Sequence, residues 1–115
     1  MATLILTTPA GASSQVPVSA PETTLGRAPR NDIMLNCPRV SRFHAVLNVD
    51  GPFVVIRDVG SRNGTYVNGK RVESQVLVNG DTIDLGDYWI RFIAADQEEV
   101  PADTVSRLTE RGQLI

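Results

Sequence analysis

The sequence predicts an all-β protein, an antiparallel β-sandwich of about ten to eleven short strands followed by a short C-terminal helix or linker. Three observations carry this. Short runs rich in Val, Ile, Thr, Leu and aromatic residues recur along the chain. Clusters of Gly, Pro, Asn, Asp and Ser punctuate them. No helical stretch separates the runs, and close-spaced strands without intervening helices favour an antiparallel sandwich over a parallel α/β sheet.

The first run, Thr3–Thr7, places Leu4-Ile5-Leu6 between threonines and ends at the turn cluster Pro9–Ser14. Gln15–Val18, Thr23–Arg27 and Asp32–Leu35 follow; Glu22-Thr23-Thr24, only three residues before Arg27, reads as β-structure. Phe43–Val49 and Phe53–Asp58 are joined through the turn at Asn48–Pro52, and Gly60–Gly64 precedes Thr65–Val67. Asn68-Gly69 and Asn79-Gly80 are hairpin signals, since both residues of each pair tolerate positive φ. Val76–Val78 and Asp81–Leu85 flank the second pair, and Gly86-Asp87 leads to the last run, Tyr88–Ala94.

After Ala95 the character changes. Asp96-Gln-Glu-Glu-Val-Pro reads as an acidic, Pro-broken linker. Asp103 is placed to cap a short helix over Thr104–Arg111, ended by Gly112 and carrying Val105 and Leu108 on one stripe. The expected organisation is one domain over residues 1–95, then a tail over 96–115 leading to a further segment.

At 115 residues the chain suits one domain with a single core. Hydrophobic residues at 42% and charged residues at 21% are ordinary for a globular protein. No apolar run approaches the roughly 18 residues of a spanning helix. The N-terminus lacks the basic n-region and long apolar stretch of a signal peptide, so a first strand is expected there. Cys37 is the single cysteine, which excludes an intrachain disulfide, favours a reducing, cytoplasmic setting and reads as a small loop or edge residue.

The net charge is −2, but it is unevenly distributed. Residues 27–71 hold eight of the 11 bases against three acids, a net of +5, and the rest of the chain carries −7. Ten of the 11 bases are arginine. Arginine offers a planar fork of donors that suits bidentate contact with an oxyanion. These arginines fall at turns among small hydroxyl and amide residues: Gly26-Arg27, Val40-Ser41-Arg42-Phe43-His44-Ala45, Gly60-Ser61-Arg62-Asn63-Gly64-Thr65 and Val67-Asn68-Gly69.

These motifs, in this order and spacing, resemble the forkhead-associated (FHA) domain family over roughly residues 3–95. The resemblance implies two twisted sheets packed face to face with ligand loops at one end. It implies recognition of phosphothreonine in a partner protein of a Ser/Thr kinase pathway, the kinase itself or its substrate, with no catalysis, cofactor or metal. It assigns Arg27, Ser41, Arg42 and Arg62 to the phosphate, Asn63 and Asn68 to the backbone of the bound peptide, and Arg39 to selectivity three residues after the phosphothreonine. Gly26, His44 and Gly64 are structural, His44 as an internal brace for the loops. A small pocket between the Ser41 and Asn63 loops is implied for the threonine methyl. Lys70-Arg71 extends the basic surface towards acidic residues flanking the phosphosite. The compact form looks bacterial.

Other functions fit less well. A hydrolase built from Ser41, His44 and Asp58 lacks the Gly-x-Ser-x-Gly context. One His and one Cys do not make a zinc site of the usual kinds. A nucleic-acid partner is disfavoured by the acidic balance and by the small number of aromatics, six in the chain. No membrane partner is indicated.

Overall fold

The computed structural model describes residues 2–18 and 21–94. The expected linker over 96–101 and helix over Thr104–Arg111 lie outside the described residues.

Eleven strands form among the described residues: β1 (Ala2–Thr7), β2 (Ser13–Val18), β3 (Glu22–Gly26), β4 (Ile33–Met34), β5 (Ala45–Asp50), β6 (Phe53–Asp58), β7 (Thr65–Val67), β8 (Lys70–Val72), β9 (Ser74–Leu77), β10 (Thr82–Leu85) and β11 (Tyr88–Ala94). They pair into a six-stranded sheet ordered β2-β1-β11-β10-β7-β8 and a five-stranded sheet ordered β4-β3-β5-β6-β9. Among the described residues every strand pairing is antiparallel except β3 with β4, which run parallel at Leu25↔Ile33 and Gly26↔Met34.

The two-residue period of a strand decides what is buried. In β1 the inward residues Ala2, Leu4 and Leu6 alternate with half-buried Thr3, Ile5 and Thr7. In β11 the inward set is Tyr88, Ile90, Phe92 and Ala94. They meet Leu25, Leu47, Ile56 and Leu77 of the other sheet in one core, where Phe92 and Leu4 are completely buried. A one-residue slip of β1 against β11 would carry this inward set to the outer face, so burial specifies the register Leu4↔Phe92.

Several boundaries differ from the sequence expectation. Lys70–Val72 forms a strand, pairing Tyr66 with Arg71 and Val67 with Lys70. The expected strand Val76–Val78 begins earlier, at Ser74. Phe43 and His44 precede β5 and belong to the loop leading into it, with Phe43 half exposed. Asn68-Gly69 makes its hairpin, with φ of 52° and 83°. Asn79-Gly80 does not: it joins β9 to β10, which belong to different sheets. Val78 and Asp81 close that turn with a backbone hydrogen bond of 3.0 Å. The local turn chemistry is the expected one, but the strands it joins pair elsewhere. Cys37 is a loop residue, as expected, but its side chain is buried in the core.

The links at one end of the sandwich build the site: residues 27–32 after β3, 35–44 before β5, 59–64 before β7 and the Gly86-Asp87 turn.

Candidate functional site: an arginine-lined cleft

The β3 exit is pinned against the loop before β5. The Arg27 N–H donates to the Ser41 carbonyl at 3.0 Å and the Ala28 N–H to the Arg42 carbonyl at 3.1 Å. This approach explains Gly26, where a Cβ would meet the Arg42 carbonyl oxygen at 2.2 Å. The Arg27 Nε–H then donates to the Val40 carbonyl at 2.9 Å. With Nε held, the outer nitrogens of the exposed guanidinium have no protein partner among the described residues and face the cleft as a fixed fork.

Three side-chain links join the loop before β5 to the loop before β7. Ser41 Oγ accepts from the Arg62 N–H at 3.0 Å, which leaves its own hydroxyl proton free to donate. The Asn63 amide donates to the Arg39 carbonyl at 2.7 Å. His44 is fully buried; its Nδ1 accepts from the Ser41 N–H at 3.1 Å and its Nε2–H donates to the Gly64 carbonyl at 2.8 Å. Accepting at Nδ1 puts the proton on Nε2, so the ring is a neutral two-ended tie. Gly64 has φ +94°, a left-handed backbone that side chains resist, and a Cβ there would collide with Arg71 and Tyr66.

Two further residues hold the loops, and sequence reasoning had not assigned them this work. Asn31 is buried and donates to the carbonyls of Ala28 at 2.8 Å and Arg42 at 2.7 Å, tying the β3 exit to the loop before β5. Asp58 organises the loop before β7. It accepts from the N–H groups of Gly60 and Ser61, both at 2.8 Å, and from the hydroxyls of Ser61 at 2.5 Å and Thr65 at 2.7 Å. Burial pushes the Asp58 carboxyl up, but the hydrogen bonds from Ser61, Thr65 and Gly60 outweigh it and hold the pKa at about 2. The signal in the sequence was Asp58-Val-Gly-Ser, a carboxylate two residues before a turn glycine. It fits an Asx turn.

The result is an open cleft of about 200 Å³ where Arg27, Arg39, Ser41, Arg42, Arg62 and Asn63 converge. No acid lines it. Arg39 is largely exposed on the rim, with Asp87 beside it at 3.9 Å. Asn68, expected to meet the bound peptide, is not brought there. Its amide donates to Asp81 at 2.9 Å and accepts from the Thr82 N–H at 3.0 Å, so it fastens the β7–β8 turn to β10. Its positive φ and these two bonds account for the asparagine as a structural residue.

Converging guanidinium forks, a free hydroxyl proton and a shaped floor can grip a dianion through charge-assisted hydrogen bonds. Among the described residues no group of three or more His, Cys, Asp or Glu is placed to hold a metal ion. No helix there is long and apolar enough to cross a membrane.

Known proteins match this chain across the same region. It is 40% identical over 88 residues to the glycogen accumulation regulator GarA of Mycolicibacterium smegmatis, covering 76% of this chain and 56% of that protein. It is 49% identical over 75 residues to an oxoglutarate dehydrogenase inhibitor of Corynebacterium efficiens, covering 64% and 52% respectively. The chain thus spans about half the length of the curated relatives it matches. A solved domain from a study of phosphothreonine-dependent FHA domain interactions superposes with a TM-score of 0.70 at 31% identity, covering 81% of this chain and 95% of that one. The family pattern of the FHA domain matches residues 23–86, from β3 through the turn after β10. Fold, sequence and cleft agree: this chain belongs to the FHA domain family.

Proposed function

We propose that this chain is a phosphothreonine-peptide recognition module that joins partner proteins in response to a Ser/Thr kinase. The observation that carries the reading is the cleft, where Arg27, Arg42 and Arg62 line the same space as Ser41 with no lining carboxylate among the described residues. A phosphate brings about −1.5 to −2 charge, and each charge-assisted bond to it is worth roughly 1.5–3 kcal/mol. Arg27 and Ser41 hold the phosphate and Arg42 and Arg62 surround it, while Asn63 keeps one amide proton and its carbonyl oxygen for the peptide backbone. Arg39 meets side chains further along the peptide.

The module is non-catalytic, needs no cofactor and works in the cytoplasm. The recognition domain is residues 1–95. Relatives named as a regulator and an inhibitor support a role exerted by binding another protein. The test is calorimetric titration of the chain against an oriented phosphothreonine peptide library, with the unphosphorylated library as control. Micromolar or tighter binding of phosphorylated peptides alone is expected, and equal binding of both libraries refutes the reading.

A further inference from the structure

Arg71 stands across the β7–β8 pair from Tyr66. Its guanidinium lies against the backbone of Gly64: a Cβ built there would be 2.8 Å from Arg71 Nε and 3.1 Å from Cζ, with the Tyr66 ring also at 3.1 Å. Gly64 directly follows Asn63, which lines the cleft. Arg71 is exposed and has no ion pair among the described residues. Lys70 pairs with core-facing Val67 and so occupies the other pleat of β8; the two neighbouring bases do not act as one patch.

Asn63 is tied to the Arg39 carbonyl through its side chain and adjoins Gly64, the residue against which Arg71 lies. Taking the cleft as a phosphopeptide site, we propose that Arg71 is a second specificity element, pairing with an acidic side chain of the bound peptide on the side of the phosphothreonine away from Arg39. The tyrosine ring and glycine backbone restrict the arginine stem, so less rotamer freedom is lost when it takes a partner. With no acid paired to it among the described residues, its donors remain available. Its charge also adds to that of the cleft arginines, and an incoming carboxylate relieves that mutual repulsion.

The test is a panel of phosphothreonine peptides in which Glu or Gln is placed in turn at each position from four before to four after the phosphothreonine. The panel is titrated against wild type, R71Q and R39Q. Gln keeps a planar polar head on a similar stem, and equal melting temperatures show that R71Q is folded. A preference for Glu of about threefold, the scale of an exposed ion pair, is expected at one or two positions. It should vanish in R71Q and persist in R39Q, and those positions should lie on the opposite side of the phosphothreonine from any that respond to R39Q. A Glu preference that is unchanged in both R71Q and R39Q overturns the inference, as does an Arg71-dependent position on the Arg39 side. Phosphorylation-dependent binding with no Arg71-dependent preference overturns this inference alone. Failure to distinguish phosphorylated from unphosphorylated peptides overturns the reading of the cleft as well.

Discussion

The Asn63 side-chain amide donates to the Arg39 carbonyl oxygen at 2.7 Å, closing a link between two loops separated by 24 residues of sequence. Half of the amide's donor capacity is therefore spent inside the protein, and the remainder is aimed by that bond. Asn63→Asp replaces the donor with an oxygen facing the Arg39 carbonyl and adds negative charge beside the phosphate site. Loss of phosphopeptide binding by more than tenfold is expected in calorimetry, and a larger loss than for Asn63→Ala. The reverse order would mean that the amide proton on Arg39 does not organise the site.

Arg27→Ala should remove phosphopeptide binding while the fold survives, because the side chain is exposed and holds only the Val40 carbonyl. Loss of a charge-assisted contact of about 1.5–3 kcal/mol corresponds to tenfold or more in affinity. Arg27→Lys should recover little of it, since one ammonium cannot bond Val40 and present a fork at once. Titration with melting curves as the folding control separates these effects, and wild-type affinity in either variant rejects the assignment.

His44→Ala leaves the Gly64 carbonyl and the Ser41 N–H without partners and opens a cavity at a fully buried position. Each orphaned group costs about 1–3 kcal/mol, so a fall in melting temperature on the order of 10 °C is expected. Binding should weaken through disordered loops. A variant melting like wild type would show that the ring ties nothing together.

Acid should loosen the site through Asp58. Its carboxyl is lowered from 3.8 to about 2 in the folded protein, so the fold favours the ionised form. That contribution is complete above about pH 4 and disappears as pH falls towards 2. Denaturant unfolding at pH 7, 4, 3 and 2 should show a drop in wild type that is shallower in Asp58→Asn. Asp84 works in the opposite direction: burial raises its pKa, so ionising it costs stability as pH rises. Asp84→Asn should therefore be neutral or slightly stabilising at pH 7.

Phosphoserine peptides should bind less tightly than phosphothreonine peptides. One buried methyl contributes roughly 0.8 kcal/mol by transfer. The methyl also restricts χ1, so the phosphate is better aligned with Arg27 and Ser41 before binding. Matched peptides differing only in that methyl are expected to differ by about tenfold; equal affinity would mean that charge alone holds the ligand.

The sandwich was legible because its inward residues alternate in sequence, as in Leu4/Leu6 and Ile90/Phe92, and alternation is a local property of an extended chain. Arg27, Ser41, Arg42, Arg62 and Asn63, which line one cleft, were singled out through the resemblance of their motifs to a family, since turn chemistry alone marks them only as loop residues. Other features depended on what each segment meets in space. Lys70-Arg71-Val72 has no strand-like composition, and β8 exists because the Asn68-Gly69 turn returns it to β7 as an edge strand. Asn79-Gly80 has the same local chemistry, yet it crosses between sheets because β9 finds its partner in β6. Asn31 reads as a turn residue in sequence and becomes a buried tie only where Gly26 lets two loops approach. Asn68 matched a ligand position and is bound to Asp81 and Thr82 instead. By itself the sequence determined which residues lie inward and which chemistry sits at the turns. Tertiary structure alone decided which carbonyls, amides and guanidinium groups were spent inside the protein and which were left for a ligand, because a hydrogen-bond partner distant in sequence is chosen by the packing of the whole chain.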